Sequence, residues 1–344
     1  MTIEATIRRR RTKVLLTVVA LSILLLIFFI LGLTQAYIPL TMSEAFYALF
    51  GIGRDIHVTI VQNVNAPRMI MGVFVGAGLG ISGAVMQAVF KNPMASPYIL
   101  GLSSGASFGA AFAMLFTIPF VPQTLSIPIF AFLACVGTMF LVYSISRVGG
   151  KVPTETLLLS GIAVGALFSA LVSLLTYVAG DKMEGIVFWS MGNLSVAKWE
   201  SALIVMPLVL AGSILMISRG RELNAMMLGD SHAMDLGVNV RSVRLEMLIS
   251  TSLVTAAAVA FVGVIGFVGL VIPHILRIIL GPDNRALLPM SMLGGATFII
   301  VCDYLSRTLF PMIGTLPIGI LTALIGAPYF IYLLRRRRNE VGWN

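Results

Sequence analysis

Apolar residues along this chain gather into unbroken runs, near 14–33, 69–90, 99–116, 127–145, 156–178, 202–217, 247–266, 267–280, 287–305 and 318–334. A helix needs about 20 mostly apolar residues to cross the hydrocarbon of a bilayer. The runs therefore predict an all-α integral membrane protein, one polytopic domain over 1–344 with about ten transmembrane helices. The eighth run is short, and only the Gly263 to Gly269 region separates it from the seventh. The first, Val14 to Leu33, follows a basic cluster (Arg8 to Arg11, Lys13) in the manner of a signal peptide. It is longer than a signal core and no small-residue cleavage site follows within Thr34 to Thr41, so it reads as a retained span.

Composition agrees: 58% of residues are hydrophobic and 11% charged, with a mean hydropathy of +1.00. A soluble globule is about half apolar and about a quarter charged. An even number of crossings puts both termini on one side, and both are basic (1–13 and 335–344), which predicts a cytoplasmic location for each. Threading the remaining loops puts Lys91, Arg147, Lys151, Arg219, Arg221, Arg241, Arg244, Arg277 and Arg285 inside. Only Arg54, Arg68, Lys182, Lys198 and Arg307 fall outside. The net charge of +9 then has a topological cause, and nucleic-acid binding is not needed to explain it. Cys135 and Cys302 lie inside apolar runs and read as small packing residues, with neither a disulfide nor a metal role. Trp189 and Trp199 flank an outer loop as interfacial anchors.

Glycines at short spacing (Gly76, Gly78, Gly80 and Gly83; Gly101, Gly105 and Gly109) fit close helix packing in lipid. Phe74-Val75-Gly76 and Phe261-Val262-Gly263 each open a Gly-rich stretch, with Gln87 and His274 at equal distances beyond. Copies entering from opposite faces form a weak inverted repeat of the transporter kind.

The longest segment of the second half that cannot lie in lipid runs from Arg219 to Glu246, on the predicted cytoplasmic side. Gly229 and Gly237 stop two short helices, and Asp230 or Ser231 offers an oxygen to cap the second. Leu223, Met226, Met227, Leu228, Met234 and Leu236 supply apolar knobs. Arg219, Arg221, Arg241 and Arg244 are balanced by Glu222, Asp230, Asp235 and Glu246, whereas a lipid-binding patch is lopsidedly basic. The alternatives are a protein-docking surface and a solvated linker, and the density of apolar knobs favours docking. Acids sit at span ends or in loops, unlike a proton relay at mid-membrane. A GxxxxGK[ST] phosphate loop is absent, so the chain reads as no enzyme and without a cofactor, driven by a partner that supplies the energy.

Specific strings then point further. Asn92-Pro-Met-Ala-Ser-Pro97 with Leu100-Gly-Leu-Ser-Ser-Gly105, Gly266 to Arg277, Gly281-Pro-Asp-Asn-Arg285, Leu316-Pro-Ile-Gly319 and Gly326-Ala-Pro328 occur in order. In order and spacing they resemble the FecCD-type permeases of ABC importers, from about Ala66 to Arg336. The resemblance implies a type II importer permease of ten spans in the cytoplasmic (inner) membrane. It would pair as a homodimer, or with a related permease, around the substrate path. Two cytoplasmic ATPase subunits would bind the loop at 219–246, with Leu223, Met226, Leu228, Gly229, Asp230, Leu236 and Gly237 as coupling residues. An extracytoplasmic binding protein would deliver ferric siderophores, haem, vitamin B12 or an oxyanion. The family's Arg-x-Pro-Arg entering the second span reads Asn65-Ala-Pro-Arg68 here, leaving Arg68 and Arg307 as the docking arginines. Arg307 alternatively forms a helix-end pair with Asp303. Asn92, Pro93 and Pro97 shape the inner mouth or merely end one helix and begin the next. Pro273 and His274 match a structural turn, since no second metal ligand follows at i+4. An ion-gradient carrier and a non-transporting scaffold are the rival classes.

Overall fold

The computed structural model describes residues 3–35, 40–147, 149, 152–309 and 314–341. Lys151, used above for orientation, and the extreme ends of both tails lie outside the described residues. In chain order the helices are α1 (Ile3–Thr34), α2 (Met42–Leu49), α3 (Asp55–Thr59), α4 (Ala66–Val89), α5 (Leu102–Leu115) and α6 (Gln123–Ile145). Then come α7 (Thr154–Val178), α8 (Met183–Ser190), α9 (Trp199–Ser218), α10 (Gly220–Met227), α11 (Asp230–Asp235) and α12 (Val240–Val262). The last are α13 (Val268–Leu280), α14 (Asn284–Thr308) and α15 (Ile318–Val341).

Each apolar run becomes one helix. Among the described residues seven helical stretches are long and apolar enough to cross a membrane, and α5, α13 and the apolar part of α15 are shorter. The second run enters earlier than its hydropathy suggests, because α3, a π-helical turn (Ile60–Asn65) and α4 form one continuous helical rod from Asp55 to Val89. That extension draws Arg68 into the first turn of α4, among its buried residues.

Burial sorts centre from periphery. Nearly all of α4 is buried, with most of α12 and α14, whereas α1 and α7 keep much of their apolar surface outward, as lipid-facing helices do. The main core joins α4, α9, α12 and α14. A second joins α5, α6 and α7 to the far side of α12. Cys302 belongs to the first and Cys135 to the second, each a buried free thiol.

The glycines of α4 explain its central place. Any Cβ on Gly76 would collide with the backbone of Gly295, and one on Gly80 with the carbonyl of Ser291, both in α14. Gly83 meets Gly269 of α13 in the same way. With no hydrophobic drive between helices in lipid, such backbone contact is what holds them. α13 starts late because residues 263–267 leave the helix: Gly263 (φ 76°) and Phe267 (φ 66°) are left-handed, and a side chain on Gly263 would strike the Trp189 carbonyl.

Candidate functional site

The loop between α9 and α12 folds as two short helices, as its glycines require. Gly229 (φ 129°) turns the chain between α10 and α11, and Gly237 (φ 82°) follows α11. Leu223 and Met226, expected to stand out as coupling knobs, are fully buried in the main core. They lie three apart on α10, the spacing that points two side chains to one face, and that face meets the chain's own bundle. The side chains left free are Leu228 (71% exposed), Met234 (58%) and Leu236 (68%).

Asp230 does not cap α11 with its side chain; Gly229 holds the N-cap position and makes no side-chain bond. Its carboxylate instead accepts from Lys91 Nζ, just past α4, and from Arg244 in the first turns of α12, each at 2.7 Å. Burial alone would raise this carboxyl's pKa, but the hydrogen bonds from Lys91 and Arg244 and their charges outweigh it and hold the group below its ordinary value. Arg219 pairs with Glu246 (2.9 Å) and Glu222 (3.2 Å), which raises its pKa above the usual guanidinium value. Asn224 of α10 donates to Asp283 (2.6 Å) and accepts from the backbone N–H of Asn284 (2.8 Å), fastening α10 to the start of α14. Arg219, Glu222, Asp230, Arg244 and Glu246 thus pair within the chain, while Arg221, Asp235 and Arg241 stay exposed beside the three apolar side chains.

Beside this loop, α4 ends in a turn whose left-handed residue is Lys91 (φ 50°), with the Asn92 N–H bonded back to the Gln87 carbonyl (3.1 Å). The Asn92 side chain accepts from the Met94 N–H (2.9 Å), Pro93 lies between them, and Pro97 opens a single 3-10 turn. Tyr98 donates to the Ile265 carbonyl (2.8 Å), so residues 96–98 and 265–270 share the walls of one recess. Pro273 and His274 lie farther along α13 and do not line it.

The opposite end of α4 gathers Arg68 and Arg307 on one carboxylate. Arg68 donates from Nε to Asp303 (2.8 Å) and from NH1 to Ser195 Oγ (2.8 Å). Arg307 reaches the other oxygen of Asp303 at 2.6 Å. Asp303 is fully buried and each arginine side chain is 8% exposed. The helix-end pair is therefore a buried one, and a few tenths of a kcal/mol, suited to an exposed helix, does not describe it. Asn65, standing where the motif has its first arginine, is buried; it donates to the carbonyls of Leu33 (2.8 Å) and Gln35 (3.0 Å) and accepts from Arg307 (3.4 Å). An asparagine here ties down the end of α1.

The sequence profile of the FecCD transport family matches residues 24–336. The chain belongs to the FecCD transport family. Among its relatives is the cobalamin import system permease protein BtuC of Halobacterium salinarum, 43% identical over 87% of this chain and 79% of that one. The hemin transport system permease protein HmuU of Yersinia pestis is 39% identical over 93% of this chain and 96% of that one. A solved structure described as an inward-facing conformation of a metal-chelate type ABC transporter aligns at a TM-score of 0.79 and 34% identity, covering 92% of this chain and 98% of that one.

Within this FecCD chain, three contacts of the two clusters escape motif reading: Arg68 with Asp303, and Lys91 and Arg244 with Asp230. The four-residue spacing of Asp303 and Arg307 signals their pair, one of the two alternatives read for Arg307.

Proposed function

We propose that this protein is the membrane-spanning permease subunit of a binding-protein-dependent ABC importer, carrying a ferric siderophore or related metal chelate across the cytoplasmic membrane. ATP is hydrolysed by two partner subunits that seat on the loop between α9 and α12. The observation that carries this reading is the trio Leu228, Met234 and Leu236, exposed on α10–α11 with the charged Arg221, Asp235 and Arg241 exposed around them. An apolar patch with a polar rim suits a protein groove. Ten crossings, with both termini inside, put that loop in the cytoplasm. Two copies of the chain flank the path.

On the outer face, Arg68 and Arg307 receive the delivery protein. Both are committed to Asp303 in this conformation. Docking therefore brings a carboxylate of the partner to the edge of this cluster and leaves Asp303 in place between the two guanidiniums. Cobalamin is the second reading of the cargo, favoured by the 43% identity to a cobalamin permease.

The test is uptake of labelled ferric siderophore, haemin and cyanocobalamin by cells carrying the chain with and without its ATPase, alongside Leu228→Asp/Leu236→Asp. Loss of ATPase co-purification and of uptake in the double variant is expected. Uptake that persists with no ATPase present would turn the reading over to an ion-gradient carrier, and a chain that moves no solute would be a scaffold.

A further inference from the structure

One contact at the inner face is not explained by docking. Asp230 opens α11, yet its carboxylate points back to the bundle, where Lys91 and Arg244 each hold one oxygen at 2.7 Å. Those two cations are held by different long helices: Lys91 follows the end of α4, and Arg244 lies in α12. Lys91 also keeps a left-handed backbone (φ 50°) at the position after a helix where glycine is the unstrained choice. A lysine in that conformation costs about 1–2 kcal/mol relative to the right-handed form, and such local strain persists where the side chain is needed. The other attachments of the loop run elsewhere, Asn224 to the start of α14 and Arg219 to Glu246. Asp230 is thus the polar link from α11 to α4, the helix whose outer end carries Arg68.

We infer that Lys91, Asp230 and Arg244 form a clasp through which movement of α11 is passed to α4 and α12, with Asp230 a positioning residue that the ATPase does not itself touch. The inference rests on the proposed docking loop and adds to it a division of labour. Leu228, Met234 and Leu236 hold the partner; Asp230 hands its motion on. At 40% exposure the Asp230 side chain is accessible enough to release and re-form its bonds during a cycle. α4 is buried along nearly its whole length and pressed backbone to backbone against α14, so a pull on its inner end is not absorbed by slack packing.

The test uses the complete chain with its ATPase subunits in lipid nanodiscs, with Ser96→Cys as a reporter in a Cys135→Ser/Cys302→Ser background. Ser96 lies in the turn after α4, in the wall of the recess shared with residues 265–270. The maleimide labelling rate is read with and without ATP. The expected result is an ATP-dependent change in the parent that falls about tenfold in Asp230→Asn and Lys91→Gly, within the usual range of coupling between sites. Lys91→Arg restores it, and ATPase subunits co-purify with all of these variants. Lys91→Gly relieves the left-handed strain, so misfolding does not account for its loss. Unaltered ATP dependence in Asp230→Asn overturns the clasp, as does a parent complex whose Ser96→Cys labelling ignores ATP. Loss of ATPase co-purification with Asp230→Asn moves Asp230 into the docking surface, sinking the clasp and sparing the docking loop. Full co-purification with Leu228→Asp/Leu236→Asp sinks the docking loop itself.

Discussion

The two faces of this protein carry the same small device, one aspartate between two basic side chains, in opposite surroundings. Asp303, on the side expected to face out, is fully buried, with Arg68 and Arg307 nearly so. Asp230, on the side expected to face the cytoplasm, keeps 40% of its side chain in solvent, and Lys91 a similar share. Solvent decides what each is for. A buried carboxylate that serves two guanidiniums is costly to assemble and far costlier to dismantle, because its loss leaves unpaired charge out of water. A half-exposed one is replaced by water at little cost. The outer cluster fixes α1, α4 and α14 to each other, while the inner cluster suits a joint that opens.

The sharpest way to break this contrast is to remove the outer anion. Asp303→Ala should destabilise the protein by about 3–5 kcal/mol, the loss typical when one partner of a buried pair is deleted. Thermal unfolding in detergent, compared with that of Asp230→Ala, reads the difference directly. Equal losses at the two sites would mean that burial does not distinguish them.

A smaller effect is expected from the contact that keeps the two clusters in register. Gly80→Ala puts a methyl group into the Ser291 carbonyl and forces α4 and α14 apart. Overpacking of this sort costs about 1–3 kcal/mol. Arg68 and Asp303 sit on those same two helices, so the cost in an Asp303→Asn background should be non-additive by more than about 0.5 kcal/mol. Simple addition of the two effects would show that helix spacing and the outer cluster are independent.

These expectations also mark where the sequence is legible. The ten runs are readable because immersion in lipid dictates composition over about 20 residues at a time, and Gly229 and Gly237 are readable because turns need left-handed backbone. The contact of Arg68 with Asp303 spans 235 positions and is created by glycine packing between α4 and α14, which leaves no local pattern. Leu223 and Leu228 are both leucines on one short loop, and only the bundle beneath decides that the first is core and the second a free knob. Local rules assign Asp230 to a cap, and two cations from other helices outcompete that role. The departure of Asn65 from the family's arginine is visible in the chain. Its grip on the end of α1 depends on where Leu33 and Gln35 come to rest.

The finest distinction between the clusters is their response to salt and acid. Asp230→Asn should lower stability by no more than about 1 kcal/mol, as half-exposed pairs do. In 1 M salt the screening length falls to about 3 Å, comparable to the 2.7 Å contacts of Asp230, so its pairs weaken while those of Asp303, sealed from ions, do not. Acid acts on Asp230 in a known direction. Its folded pKa lies below the ordinary carboxyl value of 3.8, so its contribution is complete above that value and is lost only as pH falls through the lower folded one. Between pH 5 and pH 8 the ATP-dependent labelling of Ser96→Cys should therefore hold steady while added salt reduces it. A clasp that let go near pH 6 would point to a group other than this carboxylate, whose folded pKa lies below 3.8.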